Sequence, residues 1–362
     1  MIKTYSQLFK ENQDSGHLLY YAFDWDDNIL HMPTKIHMYK REGNNWIEKQ
    51  VSTAEFAEYR NDSENWKADK NTAFQDFRDN GPRGNPAFVE DMISAISSRE
   101  FAPAWEDFIE CLKNASLFAI ITARGHESET MRKGVEWIID NILSDDDLYL
   151  MYNQLRKFEY LFKSDANSDV ILRGTPSQNP LVMEYLDHCH FIGVSAPSRG
   201  GTPENPEAAK SEALVNFMRN VNDFAESLGK KAKIGFSDDD LKNVKHIEDL
   251  MNNIKHEEFA NIEEGVVKGT KKGAFSKSVF KFNKEQPSNS LTETSHQTPG
   301  LESSVLKFTQ FGNMAGHLNP QGPDQRQDDG ANAFKRATNY LVKNSNDILG
   351  KPKKRKKKKS SK

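Results

Sequence analysis

Four short apolar runs constrain this chain most: HLLYYAF (17–23), LFAIIT (117–122), HFIGVS (190–195) and KIGFS (233–237). Each is continuous rather than alternating, so as a strand it offers apolar side chains to both faces of a sheet. That suits a sheet covered by helices on both sides. Helical periodicity fills the intervals. Met131, Val135, Ile138 and Ile142 recur at helical spacing over 128–142. Leu214, Phe217, Met218, Val221 and Leu228 do the same over 207–228, and Gly229 supplies the stop. Strands alternating with helices imply right-handed crossovers and an open parallel α/β sheet, with helices on both faces. In such sheets functional groups gather beyond the carboxyl ends of the strands.

The residues just past each strand therefore matter most. The first run leads into Asp24-Trp25-Asp26-Asp27-Asn28, the second into Thr122-Ala123-Arg124-Gly125, and the fourth into Ser237-Asp238-Asp239-Asp240. A single acid at a strand end commonly caps a helix or forms a turn. Acids after two strands of one sheet repel each other unless a cation or protons neutralise them. A hard divalent ion with oxygen ligands, Mg²⁺, is the charge-balanced solution. Lys210 falls in the first turn of an expected helix, where the dipole disfavours a cation by about 0.3–1 kcal/mol. It is either a solvated surface lysine or the partner of carboxylates or a phosphate. Arg124 either reaches substrate or serves as a surface or capping residue.

Phe23-Asp24-Trp25-Asp26-Asp27-Asn28-Ile29-Leu30 resembles the first signature of the haloacid dehalogenase (HAD) superfamily, an apolar strand followed by Asp-x-Asp-x-Thr. Thr122 resembles the second signature, Lys210 the third, and Ser237-Asp238-Asp239 the fourth, in the expected order over about residues 17–250. Asn28 departs from the usual Thr or Val. The resemblance implies a HAD-like Rossmannoid core with an inserted cap, and a Mg²⁺-dependent phosphomonoester hydrolase. It implies Asp24 as nucleophile, forming an aspartyl-phosphate, and Asp26 as acid and base. Thr122, Lys210 and Arg124 would bind the substrate phosphate. Asp24, Asp26 (through its carbonyl), Asp238 and Asp239 would hold the metal. The same resemblance makes 31–115 a flap and cap; 143–189, longer than a plain connection, is expected to hold a second insertion with helix around Asp147–Phe162.

Composition sets the limits of that core. Charged residues make up 28% of the 362 and hydrophobic residues 36%. No run approaches the roughly 18–20 apolar residues of a spanning helix, so no membrane partner is expected. The opening MIKTYSQLFKENQDSG lacks the apolar centre of a secretory signal. Two cysteines, Cys111 and Cys189, suit a reducing, cytoplasmic setting. Near 265 the composition turns to Ser, Thr, Asn, Gln, Gly and Pro, which predicts a core over 1–264 and a mostly disordered linker over 265–350. Within it, Phe334, Ala337 and Leu341 share one helical face, predicting a short helix at 333–349. Residues 351–362, KPKKRKKKKSSK, carry nine Lys or Arg and no acid. Removing those nine from 49 basic residues leaves 40 against 53 acidic, a net charge of −13 over the first 350. The body is acidic and the end basic.

That end fits an import receptor, which would make the protein nuclear in a eukaryote, or a nucleic-acid backbone. The alternatives to a phosphatase of small substrates are therefore a polynucleotide end phosphatase and a non-enzymatic HAD-like scaffold. Asp187-His188-Cys189-His190 does not read as a zinc site, because neighbours on a strand alternate faces. Trp46, Trp66 and Trp105 read as packing residues, since no basic pattern accompanies them in the sequence.

Overall fold

The computed structural model describes residues 17–157, 175–201, 205–254, 256–271 and 273–282. Numbered along the chain, the strands are β1 (Leu18–Phe23), β2 (Ile36–Glu42), β3 (Asn45–Val51), β4 (Trp66–Ala68), β5 (Leu117–Thr122), β6 (His190–Gly193), β7 (Ala232–Asp238), β8 (Ile262–Gly269) and β9 (Ser276–Lys281). The helices are α1 (Thr53–Tyr59), α2 (Pro86–Ser97), α3 (Trp105–Lys113), α4 (Ser128–Asn141), α5 (Asp145–Lys157), α6 (Pro180–His188), α7 (Pro206–Ser227) and α8 (Leu241–Asn253). The main sheet runs β6-β5-β1-β7-β8-β9, parallel except for β9.

The continuous apolar strands do cover both faces. In β1, Leu18, Tyr20 and Ala22 enter a cluster with Leu214, Phe217 and Met218 of α7 and Val244 and Ile247 of α8. Phe23 faces the other way and packs with Phe88, Phe108, Met131 and Ile138 from α2, α3 and α4. Each such side chain fully withdrawn from water contributes about 1.5–3 kcal/mol before entropy is counted. The register pairs Phe23 with Ile120 and with Ser237, so the carboxyl ends of β1, β5 and β7 lie level. No described helix is long and apolar enough to cross a membrane.

The core does not end at 264, as composition predicts. β8 and β9 complete the sheet, β8 beside β7 and β9 antiparallel at the edge. Their sequences, IEEGVVKG and SKSVFK, interleave charged and apolar residues, the pattern of strands near a sheet edge. Segment 31–115 also needs correction, whereas the helix expected around Asp147–Phe162 is present as α5 up to Lys157. Among the described residues, only about 36–77 form a separate unit: the antiparallel sheet β3-β2-β4, helix α1, and a small cluster of Ile36, Met38, Val51, Ala73 and Phe77. Helices α2 and α3 pack on the main sheet, and so do α5 and α6 through Met151, Leu155, Leu181 and Tyr185. The apolar faces of α2 and α3, expected in a cap, are core-building. Residues 158–174 of the expected insertion lie outside the described residues, as do the helix expected at 333–349 and the basic end at 351–362.

Candidate functional site

After Phe23 the chain turns sharply. Asp27 takes a left-handed conformation, with φ 54°, which costs an L-residue energy unless side-chain bonds fix it. Two do: His31 Nδ1 lies 2.7 Å from Asp27 Oδ1, and Thr53 of α1 donates to Asp27 Oδ2 at 2.5 Å. Asn28 is fully buried behind this turn. Its amide donates to Asp24 O (3.0 Å), Ser237 O (3.2 Å) and Ser237 Oγ (3.0 Å), while its Oδ1 accepts from Thr270 Oγ1 at 2.8 Å. Thr270 N also donates to Asp238 O at 3.0 Å. Asn28 thus ties together the ends of β1, β7 and β8, so here the departure from Thr or Val makes a three-strand clamp.

Asp24, Asp238 and Asp239 converge in front of that clamp, each offering a carboxylate oxygen within 4.8 Å of the others. Lys210, from the first turns of α7, is buried between them. Its Nζ lies 2.9 Å from Asp24 Oδ1 and donates to Asp238 Oδ2 at 3.0 Å. Asp238 Oδ2 also accepts from Asn243 Nδ2 at 3.0 Å, and Asp238 Oδ1 from Asp240 N at 2.9 Å. Lys210 therefore faces the acids rather than solvent. Burial alone would discharge it, but Asp238 and Asp24 outweigh burial and hold its pKa above the ordinary lysine value. Burial pushes the Asp24 carboxyl up more than Lys210 pulls it down, with Asp238 and Asp26 adding repulsion. Asp239 is pushed up to about 8, by burial first and then by Asp24 and Asp238.

One ammonium against three carboxylates leaves negative charge in surplus. Asp24 Oδ1, close enough to Lys210 for an ion pair, is buried with no well-angled hydrogen bond. A surplus of oxygen donors and an under-satisfied buried oxygen are what a small hard cation fits.

Arg124 departs from expectation. Arg124 is 1% exposed and does not open to substrate. Its Nε and Nη2 fork onto the two oxygens of Asp26 at 2.7 and 2.6 Å. Its planar group lies 4.5 Å from the Phe77 ring and 5.6 Å from that of Phe88. Nη2 also donates to Thr34 Oγ1 at 2.9 Å; Thr34 donates on to Asp91 at 2.6 Å, and Asp91 takes a fork from Arg83. The Asp26 carboxylate is thus held by Arg124 and is not one of the three clustered carboxylates. Thr122 ends β5, buried, with its Oγ1 accepting from Arg124 N at 3.4 Å. Gly193 permits this crowding: a Cβ there would lie 2.4 Å from His126 O and 2.8 Å from Arg124 O.

Thr270, Asn243, Thr34 and Asp91 carry no signal in the sequence, since each reaches the site across tertiary distance. Of Asp187-His188-Cys189-His190 only His190 lies on a strand; Asp187 and His188 end α6, and Cys189 follows, buried, with its thiol pushed up to about 12 by desolvation. Comparison of the chain with protein-family models, curated proteins and solved structures returns no match.

Proposed function

We propose that the protein is a phosphomonoester hydrolase that works through an aspartyl-phosphate on Asp24 and requires Mg²⁺. One observation carries the reading: two buried carboxylates, a half-buried third and a buried lysine meet at the level ends of two parallel strands. A scaffold gains nothing from burying such repulsion. Asp24, Asp238 and Asp239 would hold the ion, which when bound neutralises the site and draws charge off the phosphoryl oxygens.

A carboxylate oxygen of Asp24 attacks phosphorus, a P–O bond forms, and the bond to the ester oxygen breaks. Asp26 gives that leaving oxygen its proton, then takes one from the water that splits the acyl phosphate and regenerates Asp24. Arg124 holds the Asp26 carboxylate by two parallel bonds, so the proton moves from a fixed position. Lys210 offers its positive charge to the transferring phosphoryl group while remaining paired to Asp24. The Thr122 hydroxyl, at the neighbouring strand end, would donate to a phosphoryl oxygen.

The test is turnover of an aryl phosphate with and without Mg²⁺ by parent and Asp24→Asn. The amide keeps the shape and removes the nucleophilic charge, so a fall on the order of 10³-fold or more is expected. Melting should stay cooperative. Near-parent turnover by Asp24→Asn would overturn the mechanism.

A further inference from the structure

We propose that the exposed ribbon of β2 and β3, with β4 beside it, is a docking surface for single-stranded nucleic acid. Taken with the phosphatase reading, on which this extension rests, it makes the substrate class a phosphorylated nucleic-acid end. From Lys40 to Glu48 the ribbon is exposed on both faces. Trp46 and Ile47 stand 38% and 41% exposed, on opposite faces of β3.

Scattered exposed aromatics need no explanation, but this one has company. Lys67 Nζ lies 4.6 Å from the centre of the Trp46 ring and 5.4 Å from that of Tyr39; Lys40 Nζ lies 5.5 Å from that of Trp66. Two of these contacts, both made by Lys67, share the face of Trp46, against a general frequency of about one per 70–80 residues. Strand pairing puts Tyr39, Lys67, Arg41 and Trp46 on one face of the ribbon, the docking face, and leaves Lys40 and Trp66 on the other. The packing reading holds for buried Trp105 and for Trp66, which stacks on Tyr59, but not for exposed Trp46, where Lys67 supplies a cation.

The neighbouring acids are already engaged, Glu42 with Lys49 at 3.1 Å and Glu48 with His37 at 2.7 Å. Among the described residues no carboxylate pairs with Lys40, Arg41 or Lys67, although the body of the chain is acidic. Uncompensated cations interleaved with rings suit a ligand that alternates phosphates with flat bases, and accessible bases mean a single strand. The surface is also rooted at the site. Helix α1 follows β3 directly, places Thr53 on Asp27, and brings Arg60 3.8 Å from Asp240.

The experiment is fluorescence anisotropy of a labelled, unphosphorylated single-stranded DNA of about 12 nucleotides, a length in the range of known site sizes. Full-length protein is used without divalent ions at low and near-physiological salt, so any contribution from the basic end is common to all variants. Trp46→Ala should weaken affinity on the order of tenfold, and Trp46→Phe should restore most of it. Lys67→Gln should weaken binding and reduce the salt slope by about one. Unchanged melting temperatures establish that the variants are folded. Parent-like affinity in both Trp46→Ala and Lys67→Gln overturns the proposal. So does equal displacement of the DNA by an acidic peptide, which would assign the ribbon to a protein partner. The probe has no terminal phosphate and no metal is present, so failure of the phosphatase reading would leave this binding unchanged. Failure of the binding would leave aryl phosphate turnover unchanged.

Discussion

Arg124 joins three kinds of restraint in one side chain: a fork onto Asp26, a bond to Thr34, and two aromatic neighbours. Truncation leaves the Asp26 carboxylate and the Thr34–Asp91 pair short of a partner, and breaking a buried charge pair costs about 3–5 kcal/mol. We expect Arg124→Ala to lose stability on that scale in urea denaturation. Arg124→Lys should stay folded but lose kcat, because an ammonium cannot make two parallel bonds. His126 supplies a pH dependence. It is fully buried on Asp79, and desolvation first, then Arg124, lower its pKa. The unfolded chain therefore binds the proton more readily, so His126 favours folding above pH of about 6.5 and loses that as pH falls. His37, raised by its bonds to Asp76 and Glu48 against a burial penalty, acts in the opposite sense as pH rises. Melting in acid should become less pH-sensitive in His126→Asn; an unaltered profile would remove His126 from the account. At this scale the acids and Lys210 are legible in the sequence because they adjoin strands or a helix start. The direction of Arg124 is not, because its partner Asp26 lies 98 residues away.

Among the elements, β8 and β9 show where pattern reading stops. A strand run of Glu-Glu-Gly-Val-Val-Lys-Gly carries too little apolar signal to stand out, and its place in the sheet comes from pairing with β7. The four continuous runs are legible because burial on both faces writes itself into every position. A chain ended after residue 282 should therefore melt cooperatively. One ended after 264 should not, since it loses the inner strand β8 together with Phe280 and Phe282 from a core cluster. Equal melting of the two truncations by circular dichroism would show that β8 and β9 are dispensable. Helices α2, α3, α5 and α6 show the same gap in another form. Their periodicity is visible, but whether an amphipathic face meets the main sheet or a separate cap depends on the path of the chain. The hairpin between β2 and β3 is legible, because Gly43, with φ 64°, accepts the left-handed turn that a two-residue connection needs.

Across the whole molecule, an acidic body carries a basic end, and the two should be separable. Deleting 351–362 should leave aryl phosphate turnover intact while lowering oligonucleotide affinity mostly at low salt, since nine cations act through counterion release. Identical salt curves with and without the deletion would exclude the end from nucleic-acid binding. The bond from Thr270 to Asn28 spans 242 residues and closes the clamp behind Asp24 and Asp238. Contacts of such separation form late in folding, because the loop must close before it is rewarded. During synthesis, at about 5–20 residues per second, Asp24 would leave the ribosome more than ten seconds before Thr270 does. A nascent chain thus carries Asp24 for most of its elongation without the strand that completes the acidic cluster's clamp. Competence would arrive only with the final strands, as a late and cooperative event.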